Sequence, residues 1–153
     1  MNKWQKITLI ILISILIVFI IKKLLPDEKI NLIKDIKRLK EAVESEDERM
    51  VFNYLDTDYL DQHNLDFEGL KSKIAEFFNV ADSINIMISG LKVWIDSLTT
   101  NNYVYAHCSL GIRVIARYEN ERVLVFGGVI QPATVKGYFR KQKNYYKIYW
   151  AEY

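Results

Sequence analysis

The sequence predicts an α+β protein: an N-terminal transmembrane helix, then about three helices packed in a strongly curved four-stranded antiparallel sheet. Three observations predict it. An uncharged apolar run opens the chain, helical periodicity fills residues 27 to about 80, and a period of two takes over after Ser83.

The apolar run is Ile7 to Ile21, "ITLIILISILIVFII", flanked by Lys3 and Lys6 on one side and by Lys22 and Lys23 on the other. Fifteen helical residues span about 22 Å, against a hydrocarbon core of roughly 30 Å. Leu24 and Leu25 extend the run, the lysines can snorkel, and Trp4 sits where an interfacial aromatic would. Neither a small-x-small cleavage site nor a lipidation cysteine follows. A helix apolar on every side needs burial on every side, and the rest of the chain is too small to enclose it. Residues 1–26 are therefore expected to form a membrane anchor, in contact with the lipid bilayer through residues 7–25, and residues 27–153 a separate domain. Basic residues on the two flanks do not decide orientation. A short basic tail usually stays in the cytoplasm, which makes this a single-pass membrane protein with an extracytoplasmic domain.

The formal net charge is +2, but the first 26 residues carry four lysines and no acid, leaving seventeen basic against nineteen acidic residues in the remainder. That balance excludes a basic nucleic-acid binder. The single cysteine, Cys108, cannot form an internal disulfide.

Pro26-Asp27 ends the anchor. Leu32, Ile36, Leu39 and Val43 recur at helical spacing and predict a helix over residues 27 to about 44. Ser45 followed by Glu48 reads as a capping box for a second, short helix. Asp66 is a plausible N-cap for a third, with Leu70, Ile74, Phe77 and Phe78 on one face.

Four strands are then predicted. In the first, Ile84–Asp96, the apolar residues fall on even numbers to Ile88 and on odd numbers from Leu91. A one-residue bulge at Ser89-Gly90 accounts for the change of parity, and glycine tolerates its backbone. The second, Tyr103–Arg117, has an unbroken apolar even face and a mostly polar odd face. The third is expected from Arg122 to about Arg140, with Val123, Val125, Val129, Val135 and Phe139 on one parity, a bend at Gly127-Gly128, and Pro132 at a bulge or unpaired edge position. The fourth is Tyr145–Tyr153, and the short polar connections are those of hairpins.

This order of elements, carried by "IKRLKEAVESEDERMVFNYLDTDYL", "LKSKIAEFF" and the terminal "YYKIYWAEY" over residues 36 to 153, resembles the nuclear-transport-factor-2-like superfamily, the cystatin-like α+β cone. The resemblance implies a conical half-barrel around the helices, a pocket at its open end, and frequent dimerisation through the sheet. It implies no activity, because the fold hosts enzymes, adaptors and scaffolds. Single-pass scaffold subunits of type IV secretion systems are similar in layout.

Isomerases of similar fold place a carboxylate base just after the second helix and an acidic donor on an inner strand face. Asp61 is the nearest match to the base, but the even face of residues 104–116 offers no acid, Tyr or His to partner it. Asp61 thus reads more readily as an exposed loop carboxylate, and the neighbouring His63 as a solvated histidine. Catalytic residues are not assigned beyond these two weak candidates. No Cys/His spacing supports a metal, no phosphate loop supports a nucleotide, and no cofactor is expected. Cys108 lies on the dry face and reads as a small hydrophobe.

Tyr54, Phe77, Phe78 and Trp94 are expected near the cone interior or mouth, as core or as ligand contacts. Tyr103, Tyr105, His107, Arg113 and Arg117 share the outer parity of the second strand, and exposed aromatics with arginine have the composition of a protein interface. The expected function is that of a membrane-tethered, non-catalytic binding or assembly domain, acting through its sheet surface or cone pocket with a homodimer or membrane-protein partner. The alternatives are an isomerase-, dehydratase- or cyclase-like enzyme and an apolar-ligand carrier.

Overall fold

The computed structural model describes residues 27–96 and 103–153, together with Ile15. Apart from Ile15, the anchor expected over residues 1–26, with its bilayer contact, lies outside the described residues. Among those described, no helix is long and apolar enough to cross a membrane.

Helix α1, Glu28–Glu44, begins where the Asp27 carboxylate accepts from the Lys29 amide at 3.0 Å. Its predicted stripe faces inward: Leu32 and Ile36 are buried, and Leu39 and Val43 pack beside the core. Helix α2, Glu48–Asn53, is capped by Asp47, which accepts from the Met50 amide at 3.0 Å, and not by Ser45. Ser45 instead ends α1, its hydroxyl donating to the Glu41 carbonyl at 2.8 Å. Both residues carry a capping side chain; the turn at Glu46, with φ of 57°, leaves Asp47 at the helix entrance. Helix α3, Phe67–Val80, starts at Asp66 as predicted, with the Gly69 amide donating to its carboxylate at 2.8 Å.

The sheet has six strands rather than four, and it is mixed rather than purely antiparallel. They are β1 Leu55–Asp61, β2 Asp82–Ile95, β3 Tyr105–Tyr118, β4 Glu121–Phe126, β5 Ala133–Gln142 and β6 Tyr145–Glu152. They lie in the order β1-β6-β5-β3-β2, with β4 also paired to β3. Two departures make up the difference. Strand β1, "LDTDYLD", runs parallel to β6, with Leu55 opposite Ile148 and Asp61 opposite Ala151. Its three aspartates conceal it, because strands are poor in that residue.

The predicted third strand is divided into β4 and β5. Both lie along the same side of β3, Phe126 opposite Val114 and Ala133 opposite Ile112. They form one track interrupted by an excursion over residues 127–132, which contains Pro132. Gly127, at φ +86°, turns the chain out; a Cβ there would stand 2.6 Å from the Ile112 carbonyl oxygen. Val129, expected on the inward parity, is instead at the exposed tip of the excursion.

The predicted bulge is present. Ser89 pairs with Gly111 and Lys92 with Ser109, so Gly90 and Leu91 together oppose Leu110. Gly90 has φ +60°, and the inward side passes from Ile84, Ile86 and Ile88 to Leu91, Val93 and Ile95. Helix α1 touches both β6 and β2, which are separated in the sheet by β5 and β3. The sheet therefore bends around α1. Between them lies a core of Leu32, Ile36, Ala106, Cys108, Leu110, Phe139 and Tyr146.

Candidate functional site

A cavity of about 430 Å³ opens between the concave side of the sheet and the helices. Helix α1 supplies Ile36, Leu39 and Val43 as one wall. The alternating dry face of β2 and β3 supplies another, including Ile86, Ile88, Leu110 and Ile112. Its lining is almost wholly aliphatic and aromatic, and Lys40 is the one charged residue among the lining residues described. Lys40 is already paired: its ammonium lies 2.7 Å from Glu44, whose other oxygen accepts from the Ile86 amide at 2.8 Å.

Three further polar side chains border the cavity. Burial pushes the Cys108 thiol up to about 11, which keeps it protonated and a poor nucleophile. Burial also raises the Tyr59 phenol well above its ordinary value, helped by the Asp61 charge. The Tyr153 phenol is pushed up to about 12, by burial and by donating to Asp61 at 2.6 Å.

Asp61 is fully buried at the end of β1, not exposed in a loop. One oxygen accepts from the His63 and Leu65 amides, at 2.8 and 2.9 Å, and the other accepts from the Tyr153 hydroxyl. Burial alone would raise its pKa, but the Tyr153 hydroxyl and the Leu65 and His63 amides outweigh it and hold the carboxyl below the usual range. A carboxylate so stabilised is a weak base: its lone pairs are committed to the turn that joins β1 to α3. The His63 ring is exposed, beside Gln62 and Tyr153. It meets Asp61 through its backbone amide and not through its imidazole. Among the described residues no group of three His, Cys, Asp or Glu side chains could hold a metal ion.

None of the four residues expected at the pocket lines it. Tyr54 is buried at the end of α2 and stacks edgewise on Tyr145 at 5.8 Å. Phe77 and Phe78 pack with Ala81, Ile84 and Ala116 under α3. Trp94 lies on the outer face of the sheet, stacked on His107 at 4.9 Å. The expected aromatic residues do not form the pocket walls; the inner parity of β2 and β3 supplies one largely aliphatic wall of the cavity. That parity was legible in the alternation. Tyr59 and Phe126 had no such signal, because β1 and the β4–β5 break were not foreseen; Tyr153 fell within the predicted fourth strand, but nothing in the alternation marked it as a pocket residue.

The five expected interface residues fall at three places. Tyr105 meets Tyr103 at 6.5 Å and Tyr149 at 5.8 Å. His107 stands between Trp94 and Tyr138, and its Nδ1 is 3.0 Å from the Asp96 carboxylate. Trp94, His107, Tyr138 and Trp150 are register partners across β2, β3, β5 and β6, so the outer face carries an aromatic row. Arg113 lies farther along β3 and holds the excursion, donating to the Gly128 and Val129 carbonyls at 3.0 and 2.9 Å. Arg117 is exposed at the far end of β3, opposite Arg122.

A buried ion pair was not foreseen. Asp56, fully buried on β1, accepts from Arg140 at 2.7 Å and from Gln142 at 2.7 Å. It ties β1 across β6 to β5.

The sequence matches no protein-family model and no curated protein. Solved structures do match. A Novosphingobium aromaticivorans protein named after an aromatic ring hydroxylase aligns at TM-score 0.65 and 12% identity, over 82% of this chain and 87% of that one. A Streptomyces avermitilis protein of the NTF2-like family, named after a dehydratase, aligns at 0.64 and 12%, over 83% and 96%. The helical cell-shape-determining protein Pgp2 of Campylobacter jejuni aligns at 0.62 and 15%, over 77% of this chain. The chain spans only 38% of the length of the Campylobacter protein. At such identities the likeness concerns the fold and not the activity. On the architecture and these alignments together, the chain has the nuclear-transport-factor-2-like α+β fold.

Proposed function

We propose that this is a non-catalytic binding domain whose cone cavity takes an apolar small molecule. The observation that supports it is the cavity itself: about 430 Å³, with hydrocarbon walls and a single, already paired charge among the lining residues described. Ligand pockets commonly occupy about 300–1,000 Å³ and bind mainly by removing apolar surface from water. An enzyme of this fold needs at least two ionisable groups converging on the ligand. Here Asp61 is held as a stabilised anion, and the bordering phenols and thiol are held protonated. The hydroxylase- and dehydratase-named neighbours are therefore read as sharing the cone and not the reaction.

The test is saturable binding of 1-anilinonaphthalene-8-sulfonate to the full chain in lipid nanodiscs, measured above the signal of empty nanodiscs. Leu110→Trp places an indole in the cavity, and Ile112→Phe a smaller phenyl ring. The excess signal should saturate, and the affinity should fall about tenfold in the filled variants, a difference of about 1.4 kcal/mol, with melting preserved in at least the milder one. An excess signal identical in wild type and filled variants overturns the proposal.

A second reading, tethered assembly, is favoured by the aromatic row on the outer face. Aromatic clusters near arginine supply much of the energy of protein interfaces. On this reading residues 7–25 hold the domain at a bilayer, raising its effective concentration for membrane neighbours.

A further inference from the structure

We propose that a second, polar site lies at the far end of the sheet and binds a tetrahedral oxyanion, a phosphate or sulfate group carried by a ligand. It is a dent of about 430 Å³ lined by Ser83, Asn85, Arg117 and Arg122, with Ile84, Ile115 and Ala116 beneath. It stands independently of the apolar cavity and of the function proposed for it.

Its most telling feature is a like-charge pair. Arg117 and Arg122 are direct register partners on β3 and β4. Side chains directly opposite one another have Cβ atoms about 4.5–5.5 Å apart, and like charges there are destabilising. Among the described residues neither guanidinium has an ion-pair partner. Asp82 is in register with Arg117, and Glu119 and Glu121 occupy the adjoining turn, yet no carboxylate among the described residues comes within ion-pair distance of either arginine. The other two arginines of β3 and β5 are satisfied, Arg113 by two carbonyls and Arg140 by two aspartates.

The backbone adds to this. The β2–β3 register is interrupted between Asp82 and Asn85, and Ser83 has φ +52°, in the left-handed region that serine rarely adopts. The irregularity opens the dent beside the arginines and sets a hydroxyl and an amide on its margin. Two guanidinium forks with neutral donors beside them fit an oxyanion that can accept several hydrogen bonds at once.

Position bears on the source of the ligand. Residues 1–26 join the domain at Asp27, where Glu28 is bonded to Lys141, and the Lys141 amide donates to the Val104 carbonyl just before β3. From Tyr105 to Arg117, β3 runs on the order of 40 Å. The dent is therefore at the end of the sheet remote from that junction, which favours a soluble phosphorylated or sulfated compound over a headgroup of the bilayer expected to hold residues 7–25.

The experiment is calorimetric titration of the full chain with inorganic pyrophosphate, paired with melting curves. Pyrophosphate should bind saturably, raise the midpoint by mass action, and lose affinity with added salt. Arg117→Gln and Arg122→Gln should each weaken binding about tenfold or more. Without ligand, Arg122→Gln should melt no lower than wild type, because the substitution removes a repulsion; loss of binding is then separated from loss of fold. Vesicles bearing phosphorylated headgroups, added to the same protein, distinguish the sources. Vesicle capture that requires both arginines assigns the headgroup of a second membrane, and pyrophosphate binding without capture assigns a free ligand. Failure to saturate by about 10 mM overturns the proposal. So does equal affinity in the variants, or equal affinity for citrate.

Discussion

Asp61 shows how one residue can look like chemistry and serve architecture. Its three donors come from the following turn and from Tyr153, and all are lost if the carboxylate is removed. Asp61→Ala should cost about 3 kcal/mol in urea unfolding, since each buried donor left unpaired costs about 1–3 kcal/mol. The pH dependence has a definite sign. The folded pKa is lowered, so the carboxylate's contribution is fully present above the unfolded value of about 3.9 and is lost as pH falls through the folded value. Wild type should lose stability steeply below about pH 4, and Asp61→Asn should show a shallower loss over that interval. Identical acid limbs would place the stabilisation elsewhere. None of this was legible in "YLDTDYLD": three aspartates in eight residues read as a solvated loop, because the partners that bury two of them, Arg140 and Tyr153, are more than eighty residues away.

At the scale of elements, legibility followed periodicity. β2 and β3 were readable because one face is dry along its whole length, and the change of parity at Ser89-Gly90 located a bulge to within one residue of Gly90-Leu91. β1 was not, because its pairing is parallel and two of its four buried side chains, Asp56 and Asp61, are charged. The break between β4 and β5 was signalled by Gly127-Gly128 and Pro132, but the same signals fit a bend in one strand. Gly90→Ala isolates the bulge's backbone term. A Cβ there meets nothing within 4 Å, so only the positive φ opposes it, and the expected loss is about 1–2 kcal/mol. A loss near zero in thermal or urea unfolding would mean that the bulge does not hold Gly90 in that conformation.

At the scale of the whole molecule, the two faces of the sheet divide the functional readings. The concave face encloses the cavity, and the convex face displays Trp94, His107, Tyr138 and Trp150. If the convex face is an assembly surface, Trp94→Ala with Tyr138→Ala should reduce the cross-linked fraction of the full chain about tenfold. Those substitutions are on the opposite side from the cavity and should leave probe binding unchanged. A wild type that remains monomeric at membrane-like densities removes the assembly reading. The architecture was legible as a class from the order of its elements. The cavity's position followed from the inward parity, whereas its occupant is chosen by shape, which alternation alone does not specify.

The parallel pairing of β1 with β6 has a consequence for how the chain is made. β1 emerges from the ribosome early, but its hydrogen-bonding neighbour is translated only after every other strand. At about 5–20 residues per second, the nascent β1 spends seconds without that neighbour, with Asp56 and Asp61 still hydrated. Completion of this sheet thus waits until β6 has been translated, and intermediates lacking β6 present an open strand edge that a chaperone, or another nascent copy, could occupy.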